Sequence, residues 1–263
     1  MRQLTVDKLA ELSLNGMRKA LEGQEAEPRS RDLSFEDRLL MLLDAEELFR
    51  KQRSLEYRLK AAGLRQNARM EELDYKAARS FDRALLDSLS SCRWLKEKRN
   101  LLLTGPTGIG KTFLACALAG KACQMSHSAR YFRLPRLLSE LSVARGQGTS
   151  RTKLAAIARI DLLVLDDWGL TPLTDIERRD LLEIFDDRYD RRSTLVCAQL
   201  PVENWHEAIG DPTLADAILD RLVHNAYRIE LKGESIRKAK GIPKGRGGII
   251  DPSENPENQA ATN

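Results

Sequence analysis

The sequence of 263 residues is poor in residue types that several kinds of functional site require. Aromatic residues make up only 5%, too few for a platform on which nucleic-acid bases stack, so we expect the three separated tryptophans to pack in the core. The four cysteines form no C-x-x-C pair and the three histidines are scattered. This pattern argues against a zinc site and favours buried free thiols.

Long apolar runs are also missing. No run approaches the ~18 residues of a membrane-spanning helix. The chain reaches Asp7 and Glu11 without an apolar signal core, so we expect a cytoplasmic protein. Hydrophobic residues still make up 42% and charged residues 31%, which supports a packed core and excludes disorder throughout.

The net charge of +4 conceals a strong asymmetry along the chain. Residues 1–49 hold 7 Lys and Arg against 11 Asp and Glu, whereas residues 50–99 hold 14 against 7. Residues 226–250 hold 7 basic residues against 2 acidic ones. Two basic blocks on either side of a more neutral middle fit a polyanionic partner, with nucleic acid as the leading candidate, although a solvated surface is the alternative.

Two regions with different patterns organise the chain. Residues 1–75 have helical spacing and nearly lack β-branched strand formers, which predicts an all-α domain, with Ser34 capping a helix and Asp37 at its third position. From residue 100, short apolar runs alternate with helical stretches, which predicts a parallel sheet of βαβ units within a domain over 76–245. The predicted strands are residues 101–103, 131–134, 162–165 and 194–198. Residues 246–263 are polar, and we expect a disordered tail.

A glycine-rich segment between the first predicted strand and a helix matches the pattern G-x-x-x-x-G-K-[ST]. In such a loop, backbone N–H groups converge on phosphate oxygens, Lys111 reaches the β- and γ-phosphates, and Thr112 offers its hydroxyl to Mg²⁺. We therefore expect ATP and Mg²⁺ to bind here, with Lys111 exposed at the helix start. The predicted nucleotide-binding residues are Gly105, Pro106, Thr107, Gly108, Ile109, Gly110, Lys111 and Thr112.

A pair of acidic residues forms the second motif of the predicted site. The apolar run at residues 162–165 ends in Asp166 and Asp167. The pattern predicts that Asp166 lies beside the phosphate loop and helps to hold Mg²⁺, and that Asp167 orients or activates the attacking water. Together the two motifs indicate nucleotide hydrolysis.

These motifs, with several further blocks, resemble the IstB-type ATP-binding proteins of insertion sequences. That family belongs to the AAA+ superfamily and is related to the DnaC helicase loader. The most specific block is residues 210–222. The other matching blocks are residues 14–17, 86–89 leading to Trp94, 105–112, 115–118, 166–167 and 199–201.

The resemblance implies an α/β fold with a P-loop AAA+ sheet flanked by helices, an all-α N-terminal domain and a short or absent lid, since only residues 226–231 and the tail remain after Leu222. It implies that Gln199 senses the γ-phosphate and that Arg237 lies near a second sensor position. Arg221 would complete a neighbour's site, be free to point away from its own core, and act in catalysis with Lys111 and Asp167. The rival arginines are Arg188, Arg191 and Arg192.

The resemblance also implies partners: duplex DNA, the transposase of the same element, and further copies of the chain in an ATP- and DNA-dependent oligomer. Basic residues between 136 and 159 would face the nucleic acid. The sequence departs from the usual Asp-Glu pair, because Asp167 is one methylene shorter, and slow hydrolysis is the expected result. Three alternatives stay open: a replicative helicase loader, a P-loop kinase for a small molecule, and a scaffold that hydrolyses too slowly to matter.

Overall fold

The computed structural model describes residues 2–27, 32–72 and 83–233. Within them, helices α1 to α3 come first and an α/β module follows, as the sequence predicts. The boundary expected at residues 75 and 76, the tail at 246–263, and Arg237 lie outside the described residues. The helices are α1 Arg2–Glu11, α2 Asn15–Ala26, α3 Phe35–Ala62, α4 Arg83–Ser90, α5 Arg93–Lys96, α6 Lys111–Gln124, α7 Leu134–Gly146, α8 Ser150–Ala158, α9 Asp175–Arg188, α10 Trp205–Ile209 and α11 Pro212–Val223.

Five parallel strands form one sheet in the order β2-β3-β4-β1-β5. The prediction of a parallel sheet is confirmed, and four strands overlap the predicted runs. The fifth was missed, because the segment considered as lid material is an edge strand beside β1. Of the described residues after Leu222, none forms a lid helix. The strands are β1 Asn100–Thr104, β2 Ala129–Arg133, β3 Leu162–Trp168, β4 Ser193–Ala198 and β5 Ala226–Glu230.

Alternate side chains of the strands pack on opposite faces of the sheet. Leu101 and Leu103 belong to a core with α4, α5 and α6, whereas Leu102 belongs to a second core with helices α7 to α11. The three inner strands β1, β3 and β4 are buried on both faces because helices cover both, which explains their continuous apolar runs. The three tryptophans are at most 3% exposed, so the prediction that they pack is confirmed.

A close contact between α2 and α3 explains why glycine occupies position 16 in the block of residues 14–17. A Cβ on Gly16 would lie 2.6 Å from the Ala45 carbonyl oxygen, so only glycine allows this approach. The buried Glu46 carboxylate accepts hydrogen bonds from the N–H groups of Gly16 (2.7 Å) and Met17 (3.2 Å) at the start of α2. Glu46 thereby satisfies N–H groups that lack partners within the helix and places a negative charge at its N-terminus.

Helix α3 begins and ends at the predicted kinds of residue and reaches the α/β module. Ser34 accepts the N–H of Asp37, which confirms the predicted cap, and Gly63 ends the helix in the left-handed region. Near this end, Arg58 donates to the Cys123 carbonyl at 2.9 Å, and Arg130 of β2 donates to the Ala61 carbonyl at 2.6 Å. The last turns of α3 are therefore fixed against α6 and β2.

Candidate nucleotide site

The glycine-rich loop connects the carboxyl end of β1 to α6. Gly110 precedes α6 with φ +108°, and Gly105 has φ +141°, both in a region that side chains disfavour. A Cβ on Gly105 would lie 2.4 Å from the carbonyl oxygen of Leu231, where the chain leaves β5. The loop thus takes a curled path that requires glycine, and it leads into the N-terminus of a 14-residue helix, a favourable place for an anion.

Lys111 lies inside the curl of this loop. Its Nζ donates to the carbonyl oxygens of Gly105 at 2.6 Å and Pro106 at 3.0 Å, and the residue is only 8% exposed. The expectation that Lys111 is exposed is therefore wrong, because its side chain folds back onto the loop instead of extending into solvent. Burial lowers the pKa of the Lys111 ammonium, since the charged form is poorly solvated there.

The carboxylate of Asp166 is buried beside the first turn of α6. Its Oδ2 accepts the hydroxyl of Thr112 at 2.8 Å and that of Tyr131 at 2.6 Å, and its Oδ1 accepts the N–H of Asp167 at 3.0 Å. A hydroxyl and a carboxylate in direct contact are hard oxygen ligands of the kind that Mg²⁺ prefers. The donor set therefore fits the ion that the sequence predicts.

Asp167 follows in an unusual backbone conformation. Its φ is +64°, and the pairing of β3 with β4 is irregular between Leu165 and Trp168, so the chain bulges where the two acidic residues lie. Strained residues that the surrounding fold holds in place are common at functional sites. The bulge turns the Asp167 side chain to a different position from that of Asp166.

Arg133 at the end of β2 binds Asp167. Its Nε donates to Oδ2 of Asp167 at 2.5 Å, and this hydrogen bond raises the pKa of the Arg133 guanidinium. The sequence analysis missed both Arg133 and Tyr131. Register was the missing information, because β2 lies alongside β3 with Arg133 opposite Asp166 and Tyr131 opposite Val164.

Gln199 directly follows β4, which lies between β3 and β1 in the sheet. Its exposed side chain is therefore at the same edge as the phosphate loop and the two aspartates. Ligands of open α/β sheets bind at the carboxyl ends of the strands. The position suits a polar side chain that contacts a bound nucleotide.

Arg221 lies at the opposite edge of the sheet. Its carbonyl oxygen accepts the side-chain amide of Asn100, the first residue of β1, at 3.2 Å. The loop follows the last residue of β1, about 16 Å away at the usual rise of a strand. The expectation that the Arg221 side chain is free is wrong. It forms an ion pair with Asp186 of α9 and donates to the Ala217 carbonyl at 3.0 Å.

The rival arginines differ in accessibility. Arg188 is 2% exposed, and its guanidinium donates to the carbonyl oxygens of Ile157 at 2.9 Å and Ile160 at 2.7 Å, so it braces the core and cannot reach a neighbouring subunit. Arg192 contacts Asp161 at 3.4 Å, whereas Arg191 is exposed beside it.

Several basic residues of α7 and α8 are engaged within the fold. Arg136 and Lys153 both contact Glu140, at 3.2 and 2.7 Å, and Arg145 forms an ion pair with the buried Asp180. The exposed Arg151 and Arg159 have no carboxylate partner among the described residues. Fewer basic side chains are therefore available to bind a polyanion than the number of lysines and arginines between residues 136 and 159 suggests.

We also examined the described residues for paired cysteines, metal sites and membrane-spanning helices. All four cysteines are buried and unpaired, as predicted, and no group of His, Cys, Asp and Glu suited to a metal is found in the part of the chain that the structure describes. Among the helices of this part, none combines the length and apolarity that crossing a membrane demands.

The phosphate loop, its lysine and the strand-borne carboxylate on a five-stranded parallel sheet define a P-loop nucleotide-binding protein of the AAA+ class. The model of the IstB-like ATP binding protein family matches residues 7–242, so the chain belongs to that family. A Sinorhizobium fredii relative named as an insertion sequence ATP-binding protein, y4pL, is 49% identical over 89% of this chain and 96% of its own length.

Solved structures share the fold. The crystal structure of DnaI covers 64% of this chain and 90% of its own, with a TM-score of 0.54 and 22% identity. The DnaC helicase loader covers 63% of this chain and 97% of its own, with a TM-score of 0.52 and 20% identity. At these identities the likeness extends to the AAA+ fold and no further.

Proposed function

We propose that this protein is the ATP-dependent DNA-binding helper of an insertion-sequence transposase and works in the cytoplasm. It assembles with ATP on duplex DNA and hydrolyses ATP slowly to regulate transposition or the choice of target. The observation that carries the proposal is the junction of Lys111, Thr112 and Asp166 at one edge of the sheet, in a chain of the IstB-like family.

The proposed chemistry assigns a separate task to each side chain. Lys111 leaves the loop carbonyls and binds the β- and γ-phosphates. Thr112 and Asp166 would hold Mg²⁺, which would neutralise charge on the phosphate oxygens. Asp167 orients the attacking water and accepts its proton, and Gln199 contacts the γ-phosphate. The ion pair between Arg133 and Asp167 supports slow basal turnover, because this carboxylate must release Arg133 before it can act as a base.

The position of Arg221 supports the proposed oligomer. An arginine at the far edge of the sheet cannot reach its own phosphate loop, so the proposed role of Arg221 requires the loop of an adjacent subunit. Such an arginine compensates charge in the transition state and contributes ~10³–10⁵ in turnover. Arg221 must first leave Asp186, so the free subunit keeps this group occupied.

The proposed DNA contacts are electrostatic. Arg53 and Lys60 of α3 and Arg151 and Arg159 near α8 are exposed and have no carboxylate partner among the described residues. Lysine and arginine on phosphates provide affinity without reading bases, and binding then falls steeply as salt rises. The shortage of aromatic residues is consistent with this mode.

The N-terminal helices are proposed to bind the transposase. Phe35 is 72% exposed and Leu48 68%, and Leu40 and Leu43 are more than half exposed, so α3 carries apolar side chains that its own fold does not cover. Exposed apolar surface of this kind is typical of protein–protein contacts.

An ATPase assay with and without duplex DNA tests the proposal. We expect slow phosphate release that DNA stimulates, with the stimulation lost in Lys111→Ala. Transfer of phosphate to a small-molecule acceptor would instead identify a kinase. Binding of ATP without measurable release, in the presence of both DNA and transposase, would identify a scaffold and contradict the proposal.

A further inference from the structure

A basic cleft lies at the edge of the sheet where the strands begin, on the opposite side from the phosphate loop. Its volume is about 590 Å³, which is within the range of protein binding sites. The basic side chains that line it are those of Lys98, Arg159, Arg191 and Arg192. Among the residues that the structure describes, only Arg192 of these four has an ion-pair partner. Three cations of the cleft are therefore available to an anionic ligand.

The sheet topology brings these cations together from distant parts of the sequence. Lys98 lies two residues before β1, Arg159 three residues before β3, and Arg191 two residues before β4. The three strands are parallel neighbours in the order β3-β4-β1, so the segments that precede them meet at one edge of the sheet. Neighbouring strands are about 4.8 Å apart, which spreads the cations over roughly 10 Å.

Hydrogen bonds and an ion pair hold the walls of the cleft in place. Arg192 contacts the Asp161 carboxylate at 3.4 Å, and Asp161 accepts the N–H and the hydroxyl of Ser128 at 2.9 and 2.8 Å. The buried Arg188 of α9 donates to the Ile160 carbonyl at 2.7 Å and so joins the end of α9 to the segment after α8. The cleft is therefore formed before any ligand binds, which lowers the entropic cost of binding.

The ends of helices explain part of the positive charge but not all of it. Basic residues stabilise the C-terminal end of a helix, which suits Arg159 after α8 and Arg191 after α9. Lys98 instead follows α5, a helix of only four residues, and its φ of +57° is one that a lysine disfavours. Asp187 is the one carboxylate that lines the cleft, so the cations outnumber it four to one. This excess of positive charge favours an anionic ligand.

We propose that this basic cleft binds the phosphate backbone of duplex DNA. The inference rests on the proposed DNA binding and gives it a particular site. Phosphates of one DNA strand follow each other at a rise of about 3.4 Å, so cations spread over roughly 10 Å can contact neighbouring phosphates. Between the cations lie the small side chains of Ala155 and Ala158, and the described lining contains no aromatic ring on which a base could stack. The cleft thus provides affinity for the backbone without reading the sequence.

The test is a fluorescence-anisotropy titration of a labelled duplex with the full-length protein and ATP, repeated over a range of salt concentrations. Lys98→Gly removes one cation and suits the backbone at φ +57°, and Arg159→Ala removes a second cation at an exposed position. Each lost phosphate contact should make the slope of log K against log salt less steep by about 0.9, so the double variant should lose about 1.8. Two duplexes of different sequence should show the same loss.

Arg93→Ala is the matched control. Arg93 lies five residues before Lys98, and its replacement changes the net charge equally, but Arg93 is paired with Glu97 at 2.8 Å and does not line the cleft. We expect this variant to keep the wild-type slope. Arg191 is left unaltered because it is an alternative to Arg221 in catalysis. Melting temperatures verify that all variants fold.

The possible results separate the cleft from the proposed function. A wild-type slope in the double variant would overturn the assignment of the cleft alone. If the unaltered protein did not bind duplex DNA at all, the proposed DNA binding would be wrong, and the role of the cleft with it. Loss of ATP-dependent self-association in the double variant, measured by sedimentation without DNA, would also overturn the inference, because the cleft would then contact an adjacent subunit.

Discussion

Lys111→Ala is expected to weaken ATP binding strongly while leaving the protein folded. In the free protein the ammonium donates to two loop carbonyls, and its pKa is lowered by burial, so the fold does not favour the charged form. The hydrogen bonds and the cost of burying the charge therefore largely offset each other. We expect the free energy of unfolding to change by less than about 1 kcal/mol.

The loss in the free energy of ATP binding is larger, because the variant has no ammonium that can change its hydrogen-bond partners when ATP binds. When ATP binds, two ammonium–carbonyl hydrogen bonds become ammonium–phosphate bonds, in which both partners carry charge. The added charge on the acceptor makes each ammonium–phosphate bond stronger than the ammonium–carbonyl bond it replaces, and each exchange contributes on the order of 1–1.5 kcal/mol. Two exchanges correspond to about 2–3 kcal/mol, or roughly a 30- to 150-fold rise in the dissociation constant for ATP.

Calorimetric titration with ATP, ADP and AMP measures this effect. The loss should be large for ATP and small for AMP, because Lys111 is proposed to contact the β- and γ-phosphates. Lys121→Ala removes a charge from the last turn of the same helix and should leave all three affinities unchanged. Wild-type ATP affinity in Lys111→Ala, or an equal loss for AMP, would refute the assignment.

Three further predictions concern the acidic pair and the N-terminal helices. Asp167→Asn should still bind ATP but lower the hydrolysis rate by ~10²–10⁴, and an equal loss of binding in an equilibrium assay would assign Asp167 to the metal instead. Arg133→Ala should raise hydrolysis without DNA, measured as phosphate release, because Asp167 loses its ion-pair partner; a lower rate would mean that Arg133 assists turnover. Gly16→Ala should destabilise the protein by about 1–3 kcal/mol in chemical denaturation, because the added methyl overlaps α3. Gly23→Ala on the same helix meets open space and should stabilise it by roughly 0.5–1 kcal/mol, so similar losses in both variants would contradict this packing.

The sequence predicted the parts of the fold that local pattern determines. Strands β1, β3 and β4 lie inside the sheet, are buried on both faces and contain continuous apolar runs, which made them visible. Strand β2 lies at the other edge and is only partly buried, but the run at residues 131–134 still indicated it. Strand β5 lies at the sheet edge with only Ile229 fully buried, so its five residues lack such a run and were missed. Resemblance to the family supplied the AAA+ class, which the structure and the comparisons confirm.

The residues of the candidate site also differ in whether a local pattern reveals them. Lys111, Thr112 and Asp166 lie in contiguous motifs with a known spacing, so the sequence alone suggested them. Tyr131 and Arg133 depend instead on the register of β2 against β3, which no local pattern encodes.

Tertiary packing also decides the state of each arginine, and the sequence could not supply it. The ion pair of Arg221 with Asp186 and the burial of Arg188 both follow from how helix α9 packs against its neighbours. The sequence analysis therefore left Arg188 open as a rival, whereas its burial removes it. Arg191 remains an alternative to Arg221, because it is exposed at the same edge of the sheet as Arg221.

Mixing two inactive variants on duplex DNA tests the shared ATP site most directly. Lys111→Ala keeps Arg221 but lacks a working loop, and Arg221→Ala keeps the loop, so each alone should show little DNA-stimulated hydrolysis. With random mixing in a head-to-tail assembly, about a quarter of the interfaces combine a working loop with a working arginine, so roughly a quarter of the wild-type rate should return. Replacing Arg221→Ala by Arg191→Ala in the mixture tests the exposed rival. No recovery in either mixture, although all variants bind DNA, would contradict the shared site.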